Sequence, residues 1–435
     1  MKSLLIQGGR IIDPAQKIDE VGNLLITGGK ISWWGSELPA QEDYAALPAQ
    51  GLIVCPGLID LHCHLRQPGF EAKETIATGT RAAARGGFAT VCCMPNTEPP
   101  LDSREGIENV KSIAREEGCV RVLPIGCVSR GRKGEELADL DTLATAGAVA
   151  FSDDGEPVSS PALMLQALRY SRASGLPVIN HCEEKDLTAG GQMNAGVLAT
   201  RLGLRGMPAA AEEIMIARDL ALAHLTGGHL HIAHVSSAGS VELIRMGKEA
   251  GINVTAEVTP HHLTLTQERI TGDDTSFKVN PPLRTRRDID ALIQGLNDGV
   301  IDAIATDHAP HTRADKQVDF TRAAFGISGL ETALGSLMGL VHDGQLPLVT
   351  LIAKLTSEPA RVLGDAAPGT LAVGTPADIT IFDPDQEWQV EPGAFASRGK
   401  NTPLAGTTLR GMVMATLYQG ELVYQHQSIK IDIKL

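Results

Sequence analysis

GLIDLHCHLRQPG, residues 57–69, begins as an apolar run and continues into Asp60, His62, His64 and Arg66, which alternate with Leu61, Cys63 and Leu65. In an extended chain successive side chains point to opposite faces, so the four polar groups are expected on one face. Two imidazoles at i and i+2 would repel if both were protonated and gain little from packing. They read as a pair of metal ligands on one strand, in the manner of carboxylate–histidine–metal sites.

Seven further apolar runs follow before residue 312: FATVCCMPN (88–96), VRVLPIGCVS (120–129), GAVAFSDD (147–154), LPVINHC (176–182), HLHIAHVSS (229–237), INVTAEVTPHH (252–262) and VIDAIATDHAPH (300–311). Amphipathic segments such as KETIATGTRAAARGG (73–87) and SVELIRMGKEAG (240–251) separate them. Alternating strand and helix predicts parallel pairing with crossover helices, and eight such units predict a closed (β/α)8 TIM-like barrel over 53–364. An open doubly wound sheet would favour a Gly-x-Gly-x-x-Gly loop after the first strand, and none stands there. Residues 1–52 and 365–435 carry short β-like pieces with Gly-Gly turns, and are expected to join as one small β-sandwich domain built from both chain ends.

The 435 residues carry a net charge of −14, which argues against general nucleic-acid binding but leaves room for an anionic small substrate held by a few local cations. No apolar run reaches the roughly 20 residues that span a bilayer, and MKSLLIQGGRIIDP does not have the form of a secretory signal. Seven scattered cysteines without a Cys-x-x-Cys pair read as free thiols of a reducing compartment, so the expected location is the cytoplasm.

The polar groups able to do chemistry sit where the apolar runs stop. His62 and His64 end the first, Asn96 follows the second, Asp153 and Asp154 the fourth, His181 the fifth, His234 the sixth and Asp307 the eighth. In a parallel barrel these positions meet at the C-terminal mouth. Four imidazoles with carboxylates are a ligand set for zinc or a similar divalent ion, with Asp153 and Asp154 not separable at this point. Asp307, beside such an ion, is the expected general acid/base. Arg66, Asn96, Asn280 and His311 offer a planar fork, amides and an imidazole suited to a carboxylate. His231 and His261 read as polar caps on strands, and His224 and His229 as surface or helix-end residues.

These motifs, in this order, resemble those of the amidohydrolase superfamily, and within it the bacterial type I dihydroorotases. The resemblance covers the barrel and reaches into both flanks. It implies reversible closure of N-carbamoyl-L-aspartate to L-dihydroorotate in pyrimidine (UMP) synthesis, with a metal-generated hydroxide as nucleophile and Asp307 as acid/base. It further implies one or two Zn2+ ions on His62, His64, Asp154, His181, His234 and Asp307. Substrate contacts are implied at His64, Arg66, Asn96, Asn280 and His311, and at the backbone of Phe325 and Gly326. Asp60 is then expected to orient one of the ligands, and Cys63 to be plain packing. GAVAFSDDGEP has no lysine where many relatives carry a carboxylated one, which argues against the rival readings as allantoinase or hydantoinase. A further rival is a non-catalytic partner of aspartate transcarbamoylase, although all six expected ligands are present. A homo-oligomer is expected, association with that enzyme is compatible, and 311–326 is expected to be a mobile lid.

Overall fold

The computed structural model describes residues 3–39, 43–364, 367–429 and 432–433. The first strands are β1 (Ser3–Asp13), β2 (Ile18–Thr27), β3 (Lys30–Gly35), β4 (Tyr44–Pro48) and β5 (Ile53–Pro56). Next come β6 (Leu58–Cys63), β7 (Phe88–Cys93), β8 (Arg121–Pro124), β9 (Phe151–Ser152) and β10 (Val178–Asn180). A side pair, β11 (Met193–Asn194) and β12 (Gly206–Met207), precedes β13 (Leu230–Ile232), β14 (Val254–Val258) and β15 (Ala303–Ile304). The chain closes with β16 (Ile379–Gln389), β17 (Thr408–Tyr418), β18 (Glu421–Gln425) and β19 (Asp432–Ile433).

Parallel pairing runs through β6, β7 and β8, and through β9, β10, β13, β14 and β15. Two parallel bridges join these groups: Gly126 to Phe151 links β8 to β9, and Cys63 to His308 links β6 to the end of β15. The eight strands predicted from the apolar runs therefore follow one another in a ring, each trailed by a helix. Helix starts are set locally. At Pro161–Ser174, for example, Ser160 accepts from Leu163 N, proline occupies the first turn, and Gly175 at φ +79° ends the helix. The largest apolar cluster lies between strands and helices, with Phe88, Phe151, Val178 and Ile232 against Ala82, Ile107, Met164, Ile216 and Leu292. Each large side chain buried there contributes about 1.5–3 kcal/mol.

The chain ends do meet, in one branched nine-stranded sheet whose main path runs β18-β17-β16-β5-β1-β2-β3, with β4 and β19 off that path. β4 pairs with the first half of β1 and β5 with its second half. β5 pairs with β1 and β16, and the first ring strand starts at Leu58. The expected junction at 364/365 abuts residues 365–366, which lie outside the described residues. Among the described residues no helix is long and apolar enough to cross a membrane. All seven cysteines are free.

Candidate metal centre and substrate cavity

Every polar residue expected at the mouth lies at the end of a ring strand, just past it or in a loop beyond it. His62 lies within β6 and His64 just past it, Asp154 follows β9, His181 follows β10, His234 follows β13 and Asp307 follows β15. β6 ends at Cys63, so the alternation does not extend to Arg66, whose backbone sits at φ +61°. His234 and Asp307 also have positive φ, +32° and +44°. Such conformations cost about 1–3 kcal/mol for ordinary residues and persist where the surroundings over-determine them, typically at functional sites.

Asp154 lies between two histidine pairs. Its Oδ2 is 3.3 Å from His62 Nε2 and 3.5 Å from His64 Nε2, and its Oδ1 is 3.5 Å from His234 Nε2 and 3.7 Å from His181 Nδ1. Asp307 Oδ1 is 3.1 Å from His64 Nε2 and 3.6 Å from His62 Nε2. Tetrahedral ligands at about 2.0–2.1 Å from zinc lie about 3.3–3.4 Å apart, and the spacing here is of that size. His62 Nε2 and Asp154 Oδ1 are buried without a hydrogen-bond partner, although buried polar atoms are normally paired. Two groups, His62–His64–Asp154 and Asp154–His181–His234, can each hold a cation and share Asp154. Burial opposes the charge on Asp154, but His62, His181 and His234 outweigh it and hold the carboxyl well below its usual range. For Asp307 likewise, His64, His62 and His234 overcome burial and lower the pKa.

The two neighbouring aspartates point to different partners. Asp153 turns away and accepts from Val128 N, Ser129 N and Ser129 Oγ at 2.5–3.0 Å, pinning the loop after β8. Asp60 acts on the expected ligands through the chain around them: its oxygens accept from His62 N (3.3 Å), Thr306 N (2.8 Å) and Thr306 Oγ1 (2.6 Å), the last two fastening the residue before Asp307. Orientation of His62 falls to Glu257, which the sequence reading passed over: Glu257 Oε1 is 2.7 Å from His62 Nδ1. Its Oε2 is 3.2 Å from His231 Nε2, so His231 is a partner of this carboxylate and not a strand cap. A glutamate inside a mostly buried strand, Val254–Val258, was the available signal. Glu183 plays the same part for His181 at 3.0 Å, and Asn96 Oδ1 lies 2.9 Å from His64 Nδ1.

Above this cluster opens a cavity of about 510 Å3 lined by all the expected substrate contacts: His64, Arg66, Asn96, Asn280, His311, Phe325 and Gly326. Arg66 Nε donates to the Pro310 carbonyl at 3.4 Å. Burial lowers the Arg66 pKa to about 10, which leaves it cationic at neutral pH. Burial, with Arg66 and Lys73 nearby, pushes His311 down to about 3, so this imidazole is neutral and its Nε2 donates to Phe325 O at 2.7 Å. Gly326 N–H is committed to Lys278 O at 2.9 Å, which leaves the Phe325 and Gly326 carbonyls, each with two lone pairs, as the acceptors on that wall.

The segment expected to be a mobile lid carries buried lysine contacts to its own and a neighbouring loop. Lys316 Nζ donates to Ala324 O (2.8 Å) and Lys278 O (3.2 Å), and Lys278 Nζ to Phe320 O (2.7 Å). Burial, with Lys278 beside it, lowers Lys316 to about 7. An unfolded chain keeps that proton to about pH 10.4, so the native state binds fewer protons between these values and stability rises with pH there. Relative to Lys316→Met, the wild type is expected to gain roughly 1–4 kcal/mol of unfolding free energy from pH 7 to 10. A flat difference in denaturant titrations would show that Lys316 keeps an ordinary pKa.

A family model described as Dihydro-orotase-like matches residues 51–240. A curated dihydroorotase of Pelotomaculum thermopropionicum is 53% identical over 429 residues, 98% of this chain and 100% of that protein. One from Syntrophus aciditrophicus is 50% identical over 97% of this chain and 99% of its own length. Among solved structures, an L-hydantoinase from Arthrobacter aurescens superposes with TM-score 0.89 at 25% identity, over 99% of this chain and 98% of that one. A dihydropyrimidinase from Brevibacillus agri gives 0.85 at 25% identity, over 97% and 95%. The architecture is thus shared across cyclic amidohydrolases, while half of all residues are shared with one branch of them along the whole chain: this chain belongs to the dihydroorotase family, hydrolases that act on cyclic amides.

Proposed function

We propose that this cavity closes N-carbamoyl-L-aspartate to L-dihydroorotate, and opens it in reverse, as a step of pyrimidine synthesis. The observation that carries the reading is Asp154 shared between two histidine pairs on the floor of the cavity that Arg66 and Asn96 line. The ring is read as a closed (β/α)8 barrel, and the branched sheet, whose two arms share one apolar cluster, as the small β-sandwich domain of 1–52 and 365–435.

His62, His64, Asp154, His181, His234 and Asp307 would hold one or two zinc ions, which when bound polarise the amide carbonyl and make water more acidic. Asp307 takes the proton of the attacking water and delivers it to the departing ring nitrogen. In the synthetic direction it accepts the proton of the ureido nitrogen as this attacks the side-chain carboxyl, and water leaves. Arg66 grips the α-carboxylate in bidentate fashion, with Asn96, Asn280 and His311 completing that wall. The carbonyls of Phe325 and Gly326 receive ring N–H groups. His64 serves both sides, facing Asp154 at one nitrogen and Asn96 at the other.

Glu257 fixes the His62 tautomer so that Nε2 offers its lone pair to the centre. Glu257→Gln is expected to weaken zinc binding about 10- to 100-fold. Unchanged affinity in a chelator competition would assign Glu257 to the ring interior alone.

The deciding experiment is metal content together with turnover of dihydroorotate and carbamoyl-aspartate. Zinc with turnover of both supports the proposal. A zinc-bearing protein that instead opens hydantoins or allantoin would favour the hydantoinase-like reading that the structural likeness keeps in view. A metal-free, inert protein would point to association with aspartate transcarbamoylase as its role. Seven free thiols support a cytoplasmic setting. A homo-oligomer, read by light scattering, completes the proposal.

A further inference from the structure

Between β16 and β17 the chain leaves the nine-stranded sheet and crosses the mouth of the ring. At Gly399 an added Cβ would lie 2.4 Å from Pro310 Cβ and 2.6 Å from Ser328 Oγ, so this crossing is in close backbone contact with the loops that line the cavity. Two residues on, Asn401 is 5% exposed. Its Oδ1 accepts from His311 N and from Ser328 Oγ, each at 2.9 Å. Its Nδ2 donates to Ala309 O and Gly326 O, each at 3.0 Å. Its main-chain carbonyl accepts from Ser328 N at 2.8 Å. One side-chain amide therefore uses two donors and two acceptors, its full capacity, on two different loops.

Those loops are the two halves of the substrate wall. Ala309 and His311 continue from Asp307, and Gly326 and Ser328 continue from Phe325. We propose that Asn401 is a positioning residue for the reaction: it sets the separation of the 307–311 loop from the 325–328 loop, and with it the fit of the carboxylate and ring N–H groups between Arg66, His311 and the Phe325–Gly326 carbonyls. The proposal rests on the dihydroorotase reading of the cavity. Only an amide satisfies this position. A carboxylate of the same shape has no donor and would face the Ala309 and Gly326 carbonyls with negative charge, and an apolar side chain would leave buried polar groups unpaired. Because the segment comes from between strands of the terminal sheet, that sheet reaches the site through this residue.

The test compares wild type, Asn401→Asp and Ser328→Ala, the last removing one partner of the amide without adding charge. Measured are kcat and KM for dihydroorotate, zinc content, and hydrogen exchange of the Ala309, His311 and 326–328 amides. The expected result is KM raised about 10- to 100-fold in Asn401→Asp and by a smaller factor in Ser328→Ala, since small misplacements of binding groups carry penalties of that order. Zinc content should hold, kcat should stay within about threefold, and exchange should quicken in both segments. Unchanged KM in folded Ser328→Ala, or kcat falling at constant KM, overturns the inference. Exchange keeps it separable from the functional reading. A wild type inert on dihydroorotate sinks that reading, whereas unaltered exchange in both variants sinks the role of Asn401 whatever the substrate.

Discussion

Asp307→Asn should retain its zinc and lose about 10²- to 10⁴-fold in kcat for dihydroorotate, the usual contribution of one positioned acid/base. The substitution keeps the shape of the side chain and removes its charge and its capacity to take a proton. Asparagine tolerates the φ of +44° found here, and its carbonyl oxygen can occupy the place of Oδ1 beside His62 and His64. What it cannot do is take a proton from water and hand it to nitrogen. A kcat within a few-fold of wild type, with metal retained, would remove Asp307 from the proton path. Loss of metal along with activity would instead make Asp307 chiefly a ligand, and the two outcomes are separated by metal analysis of the same preparation.

A second large effect distinguishes neighbouring residues. Asp154→Asn removes the charge of the one carboxylate that faces four imidazoles, Oδ2 toward His62 and His64 and Oδ1 toward His181 and His234. Bound zinc is expected to fall by at least one ion per chain, with turnover lost by about 10³-fold or more. Asp153→Asn should keep metal and activity and lower stability by about 1–3 kcal/mol, because one amide cannot accept from Val128 N, Ser129 N and Ser129 Oγ as a carboxylate does. If Asp153→Asn empties the site while Asp154→Asn does not, the assignment is reversed. Equal effects would mean that the loop carrying both residues has collapsed, which thermal unfolding would register.

The contrast between these two aspartates shows where the sequence stops being informative. Ligand types and their places at the ends of apolar runs are local properties. Period-two alternation and the polar residue that interrupts each run put His62, His64, His181, His234 and Asp307 at one end of a parallel sheet without knowledge of any contact. The eight-fold alternation of strand and helix is equally local, and the ring follows it. Asp153 and Asp154, by contrast, are adjacent on the same turn, and what separates them is which backbone amides lie opposite, 24 and 25 residues earlier.

Tertiary structure decided everything that depends on a partner far along the chain. Glu257 meets His62 across 195 residues, Asn401 meets His311 across 90, and Asp60 turns to Thr306 across 246. None of these pairings leaves a periodic trace, because a buried carboxylate or amide is specified by the polar groups it must satisfy and not by its neighbours in sequence. The sequence by itself determined which side-chain types stand at the mouth and the count of strands beneath it. Only the folded chain decided which carboxylates hold the ligands in place and how far apart the walls of the cavity stand, since burial makes each unpaired polar group costly enough to select one arrangement.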